Sequence, residues 1–219
     1  MSNLFNMDNP VFTFLGKACD VIFLSVVYLL LCIPIVTIGP ATTALYYATV
    51  KVLRRERGYL FREFFKSFKL NFKRASFIGL ILFIMYVILA IDIMATYSSW
   101  NGENTMNSVL FGIYIAIAFM LSFVTIYIFP VLSRFEMKTK QLIKTVFLMS
   151  IKHLPFTLLM LIIQAAIIVG VMYLFVLIFI APVISAFVTS IFMERILKKY
   201  MPPADESDEN SGLDQWYLE

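Results

Sequence analysis

The chain has 219 residues, of which 61% are hydrophobic, and it carries 18 Lys and Arg residues against 14 Asp and Glu residues. Its mean hydropathy is +0.86, and its apolar share exceeds the roughly 45 to 50% that is usual for soluble domains. The composition excludes an ordinary soluble domain and predicts an all-α, polytopic integral membrane protein in contact with the lipid bilayer.

The first predicted span covers residues 18–38, and the most unusual text in the chain runs from Pro34, near the end of this span, to Tyr47. Prolines, a glycine and threonines interrupt an apolar segment there. A broken membrane helix needs its freed backbone groups bonded by hydroxyls, water or neighbouring helices. We therefore predict either a structural kink or a broken helix that lines a cavity, with these candidate residues: Pro34, Thr37, Gly39, Pro40, Thr42, Thr43 and Tyr46.

Residues 39–53 are apolar and leave the number of membrane passes open. If they form a short return helix, the chain crosses six times and Lys17 lies on the cytoplasmic side. A full crossing takes about 20 helical residues, so the favoured prediction is five spans with the amino terminus outside.

Four further spans are predicted after the first. Two cover residues 76–97 and 109–132, and an uncharged stretch of forty residues then runs from 154 to 193. At helical rise this stretch would extend about 60 Å, twice the hydrocarbon thickness. It therefore predicts two spans, 154–171 and 173–193, with a turn near Gly170, because glycine tolerates tight turns.

The basic residues predict the orientation. Nine lie within residues 51–74, five within 134–152 and three within 195–199, whereas the connection 98–108 contains none. Cytoplasmic loops of membrane proteins collect Lys and Arg. Seventeen of the eighteen bases can thus lie on one side, which predicts a cytoplasmic carboxyl terminus in a bacterial cell membrane and leaves Lys17 as the exception.

Residues 60–74 have an amphipathic helical pattern, with phenylalanines on one face and bases on the other. A second, less regular pattern of this kind covers residues 135–147. Such helices lie in the membrane interface, where lipid rather than nucleic acid supplies the counter-charge. The interpretation is a topology anchor or a docking surface for lipid or a partner, formed by Arg62, Lys66, Lys69, Lys73, Phe64, Phe68 and Phe72.

The composition changes after residue 201. Residues 202–219 hold six of the fourteen acids, and this polar, acidic text predicts a disordered tail behind a single helical membrane domain, residues 1–201.

Few polar side chains lie inside the spans. Asp20 and Asp92 are near span ends, which favours capping or contact with interfacial water, and Gln164 is at mid-span, where bonding to another helix is the usual role. His153 stands at a span boundary without a visible partner. The chain shows no catalytic motif and no Cys/His cluster. We expect no enzyme, cofactor or metal site.

The texts Asn9-Pro10, Leu30 to Gly39 and Ala41 to Tyr47 resemble the YesL family, also called DUF624. Residues 68–73 and 153–155 fit the same pattern. The resemblance implies a small bacterial polytopic membrane protein encoded near carbohydrate-uptake genes, and hence an accessory of carbohydrate uptake that docks a sugar ABC permease or another membrane protein. A small oligomeric transporter or channel around residues 37–47 is the alternative prediction.

Overall fold

The computed structural model describes residues 10–98, 105–135 and 137–200, and helices dominate this part of the chain. The prediction of an all-α fold is confirmed. The predicted acidic tail, residues 202–219, lies outside the described residues. The helices are α1 (Pro10–Leu31), α2 (Ile38–Ala48), α3 (Leu60–Ser98), α4 (Thr105–Arg134), α5 (Thr139–Lys152), α6 (Leu154–Tyr173) and α7 (Ala181–Leu197).

Three of the described helices, α3, α4 and α6, are long and apolar enough to cross a membrane. Their outer surfaces expose large apolar side chains such as Phe77, Ile88, Ile113 and Ile162, which are 48 to 65% exposed. Water would not tolerate so continuous an apolar surface, whereas lipid does. The chain is therefore a membrane protein, and the count of five spans stays a prediction.

The amphipathic segment and the second predicted span form one continuous helix, α3, of 39 residues. At helical rise α3 is about 58 Å long, so it extends well beyond a bilayer core of about 30 Å. Its basic first half thus continues directly into its apolar second half.

The first predicted span breaks near the predicted residues. Helix α1 ends at Leu31, a 3₁₀ turn covers Ile35–Thr37, and α2 begins at Ile38. The Thr37 hydroxyl donates to the carbonyls of Leu31 and Pro34. Thr42 and Thr43 donate to the carbonyls one turn before them, at 2.8 and 3.0 Å. Hydroxyl groups therefore bond several backbone carbonyls at this break.

Helix α2 continues into a π-helical segment, Thr49–Arg54, and with α1 it forms an antiparallel hairpin. Lys17 on α1 contacts Glu56, which follows the π-helical segment, at 2.5 Å. Residues 38–54 rise about 25 Å, close to the bilayer core, so the return helix is long enough to bring Glu56 back to the level of Lys17. This geometry matches the return-helix alternative and differs from the five-span arrangement.

Helices α2 and α3 pack backbone to backbone. A Cβ atom on Gly39 would lie 2.1 Å from the Ala75 carbonyl oxygen, and one on Gly79 would lie 3.0 Å from the Gly39 Cα atom. Small residues allow this close approach of membrane helices. Gly39 therefore allows the backbones of α2 and α3 to pack in direct contact, and the turns of α2 that follow it are largely buried.

The forty-residue apolar stretch breaks later than predicted. Helix α6 runs past Gly170 to Tyr173, a 3₁₀ turn covers Phe175–Phe179, and α7 starts at Ala181. Pro182 lies in the first turn of α7, where its missing N–H leaves no intrahelical bond unmade. The proline, and not the glycine, thus marks the break.

Candidate intramembrane cavity

A cavity of about 750 Å³ lies between the described helices α1, α2, α3, α4, α6 and α7. Most of its lining is aliphatic or aromatic. Its polar groups are one amide and eight hydroxyls, which belong to Gln164, Tyr28, Thr42, Tyr46, Tyr86, Ser122, Thr125, Ser185 and Thr189.

Pairs of neighbouring helices hold these polar groups in place. The Tyr28 hydroxyl is 3.2 Å from the Thr42 hydroxyl, between α1 and α2. The Ser185 hydroxyl donates to the Gln164 side-chain oxygen at 2.8 Å, between α7 and α6. Each bond joins two walls and keeps its polar atoms at the cavity surface.

The third polar group lies between α3 and α4. The Tyr86 hydroxyl is 3.1 Å from that of Thr125 and 3.3 Å from that of Ser122. Pro130 on α4 also lines the cavity, and its ring removes the helical hydrogen bond to the Ile126 carbonyl. Among the described lining residues, none carries a charge.

Tyr46 separates the cavity from a buried charge cluster. Its hydroxyl donates to Glu194 Oε1 at 2.9 Å. Arg134 donates to the same oxygen from Nη2 at 2.8 Å and from Nε at 3.2 Å, and Arg55 lies 3.7 Å from Oε2. Glu194 is 3% exposed, so this carboxylate is a buried hub that joins α2, α4, α7 and the segment after the π-helix.

Two further contacts lie near Glu194. The term charge cluster is used below for Glu194, Arg134, Arg55, Arg54, Lys51 and Glu63 together. Arg54 donates to the Ser190 carbonyl at 2.8 Å. Lys51 in the π-helical segment pairs with Glu63 on α3 at 3.1 Å, with both side chains almost entirely buried. Burial lowers the pKa of the Arg55 guanidinium, while nearby Glu194 acts in the opposite direction. The π-helical segment thus brings Lys51 into the protein interior, in keeping with the frequent occurrence of such segments at functional sites.

The predicted broken-helix residues separate into two groups. Thr42 and Tyr46 line the cavity, whereas Gly39, Pro40 and Thr43 are buried on the other sides of α2. Pro34 is exposed and Thr37 half-buried in the turn before α2. The interpretation of a broken helix that lines a cavity therefore fits two of the seven residues directly.

The predicted intramembrane polar residues behave differently from one another. Gln164 lines the cavity and also bonds across to α7, which was its expected role. Asp20 is exposed on α1 and Asp92 is half-buried on α3, and neither lines the cavity. His153 Nε2 lies 3.2 Å from the Tyr200 hydroxyl. Burial, with Lys199 and Lys152 nearby, lowers the pKa of His153.

The predicted docking face on α3 is only partly available. Phe64 is fully buried and packs against Leu24, Leu45 and Val183, so it does not contact lipid. Phe72 is 37% exposed. The bases Arg62, Lys66, Lys69 and Lys73 are exposed. A groove of about 550 Å³ lies at residues 68–74 and Phe135.

Sequence reasoning missed the charge cluster. Glu194 follows directly after the uncharged stretch that ends at residue 193, and this position inside the end of an apolar helix was a readable signal. Arg134 and Lys51 were counted as loop bases, yet both are buried. Glu63 lies within the amphipathic pattern of residues 60–74, which does not indicate its burial. Their partners come from distant segments, so spacing alone could not pair them.

Helices α1, α2 and α3 contain a match to a family model. Residues 20–93 match the model described as "Protein of unknown function, DUF624". The resemblance to the DUF624 family is confirmed over these residues. The matched region includes the cavity residues Tyr28, Thr42, Tyr46 and Tyr86.

Two relatives of the chain come from Bacillus subtilis (strain 168). "Uncharacterized protein YteU" is 29% identical over 138 residues, 63% of this chain and 60% of YteU. "Uncharacterized protein YesL" is 27% identical over 101 residues, 46% of each chain. The matches thus span about half to three fifths of each relative's length. No solved structure matches the chain.

Proposed function

We propose that this DUF624 protein binds a small uncharged molecule in its intramembrane cavity and belongs to the transporter class of membrane proteins. The observation that carries the proposal is the cavity of about 750 Å³, to which three pairs of helices contribute polar groups. Its volume falls in the range of about 300 to 1,000 Å³ that is typical of ligand sites.

Polar side chains within membrane helices usually bond to other helices or line a substrate path. Here the same residues do both, since Gln164 and Tyr86 bond across helices and also line the cavity. The cavity is open rather than enclosed, so a small molecule can enter it. The retained cavity favours ligand binding over a purely structural role.

Passage through the protein would require movement of the charge cluster. Tyr46 and Glu194 lie between the cavity and Arg55 on the basic side. If Tyr46 and Glu194 separated, the cavity would open toward the basic residues. At the opposite end of the cavity, the break at residues 174–180 would allow α6 and α7 to move relative to each other. A ligand would thus bind in the cavity before this contact opens.

The proposed topology has six passes, with both termini in the cytoplasm of a bacterial cell. The contact between Lys17 and Glu56 supports this topology, because it brings Lys17 to the same side as the neighbouring bases Arg54, Arg55 and Arg57. All eighteen bases then lie on one side, as the distribution of bases in membrane proteins favours.

Reporters fused before residue 1 and after residue 219 test this topology. A reporter active only in the cytoplasm is expected to be active at both ends. Activity at the carboxyl end alone would restore the five-span arrangement.

A pair of tryptophan substitutions tests the binding site. Ala165 lines the cavity, whereas Ala116 on α4 is exposed and does not line it. Uncharged sugars, polyols and alkyl glycosides are screened for thermal stabilisation of the purified full chain. Ala165→Trp is expected to abolish the stabilisation that wild type and Ala116→Trp show. Equal stabilisation of all three chains would place binding elsewhere and reject the proposal.

A second candidate is the accessory role in carbohydrate uptake. The supporting observation is the exposed groove at residues 68–74, where Lys69, Lys73 and Arg74 lie beside Phe72 and Phe135. Co-purification in mild detergent with a sugar permease, weakened by Lys69→Glu with Lys73→Glu, would support docking there. Normal sugar uptake in a deletion strain, without recovery of any permease component, would reject it.

A further inference from the structure

The hydroxyl groups that line the cavity have mostly used their protons within the protein. Thr42 donates to the Ile38 carbonyl, so in the contact between Tyr28 and Thr42 the proton comes from Tyr28. Ser122 and Thr125 donate to the carbonyls of Ala118 and Leu121. Because both protons are used, the single proton of Tyr86 is donated toward one of these two oxygens.

The remaining polar groups continue this pattern. Tyr46 donates to Glu194, and Ser185 donates to Gln164. A hydroxyl oxygen that has donated its proton keeps lone pairs that can accept. Seven of the eight lining hydroxyls therefore offer acceptors to a ligand. The side-chain NH₂ of Gln164 is the main donor group left at the cavity surface, with the hydroxyl of Thr189 beside it.

The polar groups are also unevenly placed along the cavity. Helix α6 runs from Leu154 near the basic residues to Tyr173 at the far end. Its lining residues beyond Gln164 are aliphatic, including Ile168, Val171 and Met172. Ile178 and Pro182 extend this apolar wall across to α7. On the side formed by α6 and α7, the cavity is therefore apolar at the end far from the bases and polar at its middle.

The cavity lining and the charged groups behind Tyr46 also determine which charge a ligand can carry. Within the described lining, no carboxylate is available to pair with a cation. Behind Tyr46, one carboxylate, Glu194, faces two guanidinium groups, Arg134 and Arg55, so a cation would be repelled at this end. An anion would meet mainly acceptor oxygens in the cavity, which also disfavours it.

We propose that the ligand of this cavity is a neutral amphiphile with a polyhydroxylated head and a short aliphatic tail, and that Gln164 determines this specificity. The head donates hydrogen bonds to the lining oxygens and accepts from the Gln164 amide. The tail lies against Ile168, Val171 and Met172. The inference rests on the proposed function, because it names the chemistry of the molecule bound in the same cavity.

The test uses octyl glucoside and its tetra-O-methyl ether, which keeps the sugar ring and the octyl chain but has no hydroxyl donors. Binding is measured by calorimetry on the full chain in lipid nanodiscs, which avoid glycoside detergents. Octyl glucoside is expected to bind at least tenfold more tightly than the ether. Gln164→Leu is expected to reduce octyl glucoside affinity at least tenfold, and Ala116→Trp to leave it unchanged.

Further probes separate the alternatives. Octyltrimethylammonium and octanoate, which carry charged heads on similar tails, are expected to bind at least tenfold more weakly. Monooctanoylglycerol tests whether a lipid-type glycerol head serves as well as a sugar head, and its binding would support the same chemistry. Free glucose that binds as tightly as octyl glucoside would overturn the requirement for a tail.

Failure of this inference differs from failure of the proposed function. If the methyl ether binds equally well and Ala165→Trp blocks it, the cavity binds a ligand but the requirement for hydroxyl donors is wrong. If Gln164→Leu leaves the preference intact, the role of Gln164 is wrong. If Ala165→Trp affects no probe, the amphiphiles bind to the lipid-facing surface, and both proposals are overturned.

Discussion

Replacement of Glu194 by alanine should be among the most destabilising single changes in the described part of the chain. Its carboxylate accepts from Tyr46 at 2.9 Å and from Arg134 at 2.8 and 3.2 Å. The Arg134 side chain is 1% exposed, so water cannot solvate it once the carboxylate is removed.

The magnitude follows from this burial. Removal of one partner from a buried ion pair costs about 3 to 5 kcal/mol, because the other charge stays buried without compensation. Since about 1.4 kcal/mol corresponds to a factor of ten, the unfolding equilibrium constant should rise by about two to three and a half powers of ten. Tyr46→Phe removes only one hydrogen bond to a charged group and should cost about 1.5 to 3 kcal/mol.

Equilibrium unfolding in mixed micelles, with a rising fraction of denaturing detergent, measures these differences. Glu56→Gln provides a matched control. It also removes a carboxylate from an ion pair, but the side chains of Lys17 and Glu56 are 51% and 70% exposed. Solvent screens such a pair, so this change should leave the unfolding midpoint within experimental error.

The double substitution Glu194→Met with Arg134→Met tests the cause. If the cost comes from the charge left behind, the double variant should be clearly more stable than Glu194→Ala, because neither charge remains buried. The reasoning is refuted if Glu194→Ala and Glu56→Gln have the same effect, or if the double variant loses the sum of the two single losses.

Two other predictions concern packing and pH. Gly39→Leu should destabilise the protein by about 1 to 3 kcal/mol, because the larger side chain would be overpacked against the Ala75 carbonyl. Gly112→Leu, at an open position on α4, should not destabilise it. Equal unfolding midpoints for the two variants would contradict the close packing of α2 against α3. Since the fold lowers the pKa of His153, its unfolded state binds a proton at higher pH than the folded state does. The free energy of unfolding should therefore fall as the pH drops through about 6.5, the pKa of histidine in the unfolded state. His153→Gln should flatten this part of the plot of stability against pH. An unchanged slope would rule out His153 as the source of the pH dependence.

The sequence predicted the apolar helices well, because a continuous apolar run leaves a chain few alternatives in lipid. Helices α3, α4 and α6 fall close to three predicted spans. The break after α6 was misplaced toward Gly170, because glycine was weighted above the signal of Pro182 at a helix start. Both residues are compatible with a turn, and the packing of the bundle decides between them.

The site was harder to predict, because it depends on contacts between distant segments. Thr42, Tyr46 and Gln164 were recognised as polar groups in apolar helices, and the cavity contains all three. Tyr28 and Tyr86 gave no such signal, since tyrosines are common in membrane helices near the interface. Glu194 and Arg134 are sixty residues apart, and only the fold brings them together.

Burial also changes the meaning of the basic residues. Arg134 and Lys51 contributed to the predicted orientation, yet each is paired inside the protein with Glu194 or Glu63. They cannot contact lipid head groups in this arrangement, so the surface available to lipid or a partner consists of the exposed bases alone, such as Lys69 and Lys73. Arg134 instead holds Glu194 behind Tyr46, at the edge of the cavity. A base that contributes to the charge distribution along the chain can thus serve, once the chain is folded, as part of a buried network beside the cavity.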